Sequence, residues 1–160
     1  MHGSSEMKRK VKYMNSEKNK PSILLVEDDY LDIMNVEREL KKLNVNLPLF
    51  VARNGREALN MLRGEGGAAK LNPLPRIVLL DINMPKMNGL EFLDIVRKDP
   101  ELMHLNVFIM TTSNEETDRL AAQNLGATGY IVKPLSFDKF GGDNSTIDSF
   151  SLMLDLLKMK

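Results

Sequence analysis

The chain has 160 residues, 22 of them basic and 22 acidic, and no cysteine, which suits one domain with a single core. Zero formal net charge argues against a nucleic-acid-binding module, and the lack of cysteine excludes disulfides and cysteine-based metal or redox sites. No apolar run approaches the roughly 20 residues of a membrane span, so a soluble, cytoplasmic domain is expected, with no membrane and no nucleic acid among its partners.

Residues 1–20 are polar and basic, through Lys8, Arg9, Lys10 and Lys12, and lack the apolar stretch of a signal peptide. They read as a disordered tail ahead of a domain at 21–160. The first apolar run, Ser22–Val26, leads into Glu27-Asp28-Asp29. A helical stripe of Ile33, Val36, Leu40 and Leu43 follows, then a weaker strand, Leu49–Ala52, and a shorter stripe of Ala58, Leu59 and Leu62. The Gly- and Pro-rich stretch Arg63–Arg76 reads as a surface loop. The strand Arg76–Leu80 leads into Asp81, and Leu90, Leu93 and Val96 mark a third helix. The run Asn106–Met110 leads into Thr111-Thr112-Ser113. Leu120, Ala121 and Leu125 mark a fourth helix, closed by Gly126 as a C-cap. Gly129–Val132 leads into Lys133-Pro134, and after Phe140–Thr146 a last helix carries Ile147, Phe150, Leu154 and Leu157.

Strands rich in Val, Ile and Leu, without alternation, are buried on both faces. Five β-α units in succession predict an α/β fold, a doubly wound five-stranded parallel sheet with helices on both faces. Ligands of such sheets bind outside the carboxyl ends of the strands, at the switch point. In the flavodoxin-like order 2-1-3-4-5, strands one and three are neighbours about 5 Å apart. Glu27 and Asp28 then face Asp81, with Thr111 and Lys133 on the next two strands. Three carboxylates this close repel, and some have raised pKa values unless a hard divalent cation such as Mg²⁺ binds. A lysine and a hydroxyl across the site pair with anionic oxygens, so the set fits phosphoryl transfer. Each residue also has a plainer reading: Asp81 as a turn residue, Thr111 as a strand end satisfying its own backbone, Lys133 as an exposed strand-end lysine, Tyr130 as a half-buried sheet tyrosine. Asp29, near a helix start, favours the positive helix end and stays outside the site.

The motifs ILLVEDD, LLDINMPKMNGLEFL, FIMTTS and GATGYIVKP occur in the order found in the receiver domain of bacterial two-component response regulators. The chain resembles that family from Ser22 to Leu157. The resemblance implies that Asp81 is the phosphoacceptor, that Asp28 is the direct Mg²⁺ ligand and Glu27 its partner through water, and that Asn83 lends its backbone carbonyl. It makes Thr111 the switch hydroxyl, Lys133 the contact to the phosphoryl group, held before a cis peptide to Pro134, and Tyr130 the aromatic switch residue. Thr112 stands where the family usually has a smaller residue.

The implied partner is a sensor histidine kinase or phosphotransfer protein. The domain would catalyse its own phosphorylation and dephosphorylation without being an independent enzyme. The chain ends soon after the last helix, so output is expected through a downstream protein, a phosphorylation-dependent homodimer or onward phosphotransfer, with no output domain. The long loop before strand three also resembles lone receivers that partner phytochrome-type kinases, which implies a light-sensing partner. Two rivals differ in class. A pseudo-receiver usually lacks a key acid or the lysine, and all are present here. A flavodoxin-like cofactor binder needs a phosphate-cradling loop after strand one, where EDDYLD is acidic.

Overall fold

The computed structural model describes residues 21–84, 86–112, 116–133 and 144–159. The expected tail at 1–20, the peptide between Lys133 and Pro134, and the segment before the last helix lie outside the described residues, wholly or in part. The elements alternate without exception: β1 (Ile23–Val26), α1 (Tyr30–Lys42), β2 (Leu49–Ala52), α2 (Gly55–Arg63), β3 (Ile77–Asp81), α3 (Gly89–Lys98), β4 (Val107–Thr111), α4 (Glu116–Asn124), β5 (Gly129–Val132) and α5 (Asn144–Leu157). All strand pairs are parallel, in the order β2-β1-β3-β4-β5.

Successive strand residues point to opposite faces, and the core divides accordingly. Leu24, Val26, Val78, Leu80, Val107 and Ile109 pack with Ala58, Leu59, Leu62, Phe92, Leu93, Val96 and Ala122 of α2, α3 and α4. Ile23, Leu25, Ile77, Leu79, Phe108 and Met110 pack with Ile33, Val36 and Leu40 of α1 and Phe150, Met153 and Leu157 of α5. Both faces are covered, which is why the strands show no polar alternation.

The helices start where side chains satisfy their free N–H groups. Asp29 caps α1, accepting from the N–H of Leu31 at 2.8 Å and of Asp32 at 3.2 Å. Asn54 caps α2 through the N–H of Glu57 at 2.8 Å, and Asn88 caps α3 through that of Glu91 at 2.9 Å. Gly64, left-handed at φ 72°, ends α2. The following loop is mostly exposed, as expected of irregular backbone. Arg63 closes its near end onto Asp99, donating to one carboxylate oxygen from Nε at 3.1 Å and Nη2 at 2.9 Å.

Two expectations shift. The strands β3 and β4 run one residue further than the apolar runs, taking in Asp81 and Thr111. In α4 the buried residue is Ala122, while Leu120 is 48% exposed. Ala122 packs in the core cluster, and Leu120, two residues earlier, falls on the opposite side of the helix. Gly126, at φ 80°, follows the helix as a C-terminal turn, its N–H bonded to the carbonyl of Gln123 at 3.0 Å.

Candidate functional site

The carboxyl edge of the sheet gathers four of the expected residues. Val26 is paired with Leu80, so Glu27 emerges abreast of Asp81. Carboxylate oxygens of Glu27, Asp28 and Asp81 all lie within 4.8 Å of one another. Glu27 and Asp81 are buried and Asp28 is exposed. Lys133 leaves β5 on the same edge, its N–H bonded to the Thr111 carbonyl at 2.7 Å. Its Nζ stands 2.6 Å from Glu27 Oε2 and 3.5 Å from Asp81 Oδ1.

A residue that sequence reasoning missed completes this set. Asp32 accepts a hydrogen bond from Lys133 Nζ at 3.0 Å. It sits in the first turn of α1, three residues after the cap. The signal was present in EDDYLD, because a helix rising from this edge carries its third residue over the strand ends.

The alternation of side chains separates Thr111 and Tyr130 from these. Asp81 follows the parity of Ile77 and Leu79 and lies on the α1 side, with Lys133 and Glu27. Thr111 follows Val107 and Ile109 on the α4 side, where Tyr130 packs in the core. Thr111 is fully buried and Tyr130 is 7% exposed, so the tyrosine ring is turned inward. The Arg119 guanidinium lies 5.3 Å from the centre of that ring, within cation–π range. The side chain of Asn83 is exposed, and its N–H approaches Asp81 Oδ1 at 3.4 Å.

Electrostatics follow from burial. Burial pushes the Glu27 carboxyl up to about 7, the Lys133 hydrogen bond opposing and the charge of Asp81 adding to the rise. Burial also raises Asp81, against the pull of Lys133 and of the Asn83 N–H. For Lys133, burial works against the charge, yet hydrogen bonds to Glu27 and Asp32 and the fields of Asp81 and Glu27 hold its pKa above the ordinary lysine value. Carboxylate repulsion, the cause anticipated from sequence, is therefore second to desolvation. One ammonium faces three carboxylates, of Glu27, Asp32 and Asp81, and Asp28 lies beside two of them, so the site offers only hard oxygen donors to a cation. That donor set fits a divalent cation such as Mg²⁺, with Glu27, Asp28 and Asp81 as the residues to hold it.

Comparison with known proteins identifies the family. Residues 23–141 match the family model described as response regulator receiver domain. Response regulator Rcp1 of Synechocystis sp. is 36% identical over 121 residues, covering 75% of this chain and 82% of the relative. The solved Mn²⁺-bound form of Rcp1 matches with a TM-score of 0.70 at 28% identity, over 88% of this chain and 96% of that one. A two-component response regulator from Legionella pneumophila matches at 0.70 and 36% identity, over 88% and 100%. The bacteriophytochrome response regulator AtBRR matches at 0.70 and 34%, over 86% and 91%. With the family model spanning most of the chain and the same strand order carrying the acidic edge, this protein belongs to the response regulator receiver domain family of two-component signalling.

Proposed function

We propose that this receiver accepts a phosphoryl group on Asp81 from a histidine kinase or phosphotransfer protein, with Mg²⁺, and signals through protein contacts or by passing the group on. The observation that carries this reading is the placement of Asp81. It ends β3, buried, with its carboxylate among those of Glu27 and Asp28 and 3.5 Å from the Lys133 ammonium.

An Asp81 carboxylate oxygen attacks the donor phosphorus in line. The new O–P bond forms as the bond from phosphorus to the donor imidazole nitrogen breaks, and its electron pair leaves on that nitrogen. Glu27, Asp28, Asp81 and the Asn83 backbone carbonyl are the groups to hold Mg²⁺, which supplies positive charge to the phosphoryl oxygens. Lys133 adds a second cation, and burial of Glu27 and Asp81 limits water around the reacting oxygen. The product is a mixed anhydride that water later cleaves at phosphorus. While the anhydride lasts, Thr111 donates its hydroxyl to a phosphoryl oxygen. Its approach and the ring of Tyr130 reset the surface of α4, β5 and α5, a shift between two existing states. A downstream protein or a second copy of the chain reads that surface in the cytoplasm. The likeness to the bacteriophytochrome response regulator AtBRR supports a light-sensing kinase as the phosphodonor.

The test is intact mass after incubation with acetyl phosphate. One phosphoryl group, gained only with Mg²⁺ and lost in mild alkali, is the expected result. Uptake that ignores Mg²⁺, or none at all, overturns the reading. A smaller effect belongs to Thr112, whose side chain is exposed where β4 exits onto this edge. Thr112→Ala is expected to speed uptake from acetyl phosphate or hydrolysis of the product by about twofold or more, since even ~0.4 kcal/mol off the barrier doubles a rate. Rates equal to wild type in both assays would remove Thr112 from the account.

A further inference from the structure

We infer that Asp32 is a releasable tether on Lys133, a positioning residue that favours the resting state over the phosphorylated one. The inference rests on the reading of Asp81 as phosphoacceptor. Its ground is the division of one ammonium among three carboxylates. Lys133 Nζ lies 2.6 Å from Glu27, 3.0 Å from Asp32 and 3.5 Å from Asp81. Only the first two are hydrogen bonds, so the cation rests on the Glu27 and Asp32 side of the site.

An ammonium has three N–H donors and no acceptor. A phosphoryl group on Asp81 brings new oxygens with a charge of about −1.5 to −2 that compete for those donors. Two of the three serve Glu27 and Asp32, and bringing the third from 3.5 Å of Asp81 into hydrogen-bond range of a phosphoryl oxygen draws the ammonium off that side, so one of the two pairs must lengthen. Glu27 has a side-chain exposure of 0%, so water cannot replace the ammonium there and its buried charge would be left to the metal ion alone, the costly outcome. Asp32 has a side-chain exposure of 39%, so water can solvate its carboxylate once the ammonium leaves. The cheaper exchange gives up Asp32, keeps Glu27 and gains a phosphoryl oxygen. The carboxylate of Asp32 thus opposes phosphoryl binding by the amount its pair with Lys133 is worth. The α1 cap at Asp29, which binds the Asp32 N–H at 3.2 Å, fixes the first turn and keeps the tether in place.

The experiment titrates beryllium fluoride, a phosphoryl mimic, into the full chain with saturating Mg²⁺. Asp32→Asn is expected to bind it more tightly by roughly three- to fivefold, the scale of a half-exposed ion pair. Asp32→Ala is the second variant and should move in the same direction. Asp29→Asn removes one charge from the same turn and keeps the cap, so it is expected to bind like wild type. In a Lys133→Met background, Asp32→Asn should change nothing. Equal gains in Asp29→Asn and Asp32→Asn, or a gain that survives Lys133→Met, would mean a diffuse field and overturn the tether. Looser binding in Asp32→Asn would also overturn it, making Asp32 a guide that presents the lysine. A wild-type chain that binds no beryllium fluoride with Mg²⁺ fails the phosphoacceptor reading itself, whereas wild-type binding unaffected by Asp32 fails the tether alone.

Discussion

Asp81→Asn is expected to take up no phosphoryl group and, without metal at pH 8, to melt at a higher temperature than wild type. The first result follows from loss of the attacking carboxylate oxygen. The second is less obvious, because Asp81 also sits 3.5 Å from the Lys133 ammonium. Its sign is decided by the direction of the Asp81 shift. Burial raises its pKa despite the nearby lysine, so ionising it in the folded chain costs more than the attraction returns.

A carboxylate whose folded pKa lies above its unfolded value contributes stability that is complete below the unfolded value. That contribution is lost as pH rises through the folded one. Glu27 goes from 4.5 to about 7 on folding, a linkage on the order of 3 kcal/mol at most. Metal-free wild type should therefore lose stability as pH rises from about 4.5 to about 7. In Asp81→Asn one buried charge is gone, and Glu27 is freed from the Asp81 field. Relief of part of that cost is expected to give roughly 1–2 kcal/mol at pH 8, or about 2–8 °C in Tm. The gap should narrow as pH falls, because the cost being relieved is that of holding buried carboxylates charged. Saturating Mg²⁺ should narrow it too, since the cation stabilises wild type by mass action more than the variant. Melting curves across this pH range, with and without Mg²⁺, read every part of this. An Asn variant that melts lower at pH 8 would show that the Lys133 attraction outweighs desolvation.

How much of this was legible in the sequence depends on which physical signal each residue carries. The five strands were, because burial forces apolar runs, and the polar residue after each of the four strong runs marked the carboxyl edge. Strand ends were legible only to within one residue. Asp81 and Thr111 extend β3 and β4 because ladder hydrogen bonding continues past the last apolar side chain. The facing of α4 was not legible. Its apolar residues form no complete stripe, so residue order alone does not decide between Leu120 and Ala122. Asp32 escaped for a different reason. Its role needs the rise of α1 from the edge and the reach of Lys133 from β5, 101 residues away in sequence. The dominance of burial over repulsion at Glu27 is likewise a property of the packed site, not of residue order.

Gly89→Ala is expected to be the most damaging alanine substitution among the described glycines. Gly89 is the first residue of α3, and its N–H donates to the Ile82 carbonyl at 2.9 Å, which fastens the helix to the chain leaving β3. A Cβ there would meet the Asp81 carbonyl oxygen at 2.3 Å and the Ile82 Cα at 2.9 Å. Both are main-chain atoms, so no side-chain rotation relieves the overlap. Helix propensity alone would favour alanine by up to ~1 kcal/mol. Overpacking of a rigid contact costs about 1–3 kcal/mol and sometimes more, so the clash wins. Relief requires α3 to back away or the Asp81 peptide to move, and either displaces the carboxylate from Glu27 and Lys133. Phosphoryl uptake should accordingly fall at temperatures where the variant is still folded. Gly67→Ala is the useful contrast. Gly67 has φ 82° but nothing within 4 Å of its missing Cβ. Its cost is backbone strain alone, roughly 1–2 kcal/mol, with no effect on uptake. Chemical denaturation and acetyl phosphate labelling of the two variants separate steric crowding at the site from strain in the loop. If Gly89→Ala unfolds no more easily than Gly67→Ala and labels normally, the junction of β3 and α3 is compliant, and the fixed position of Asp81 must come from elsewhere.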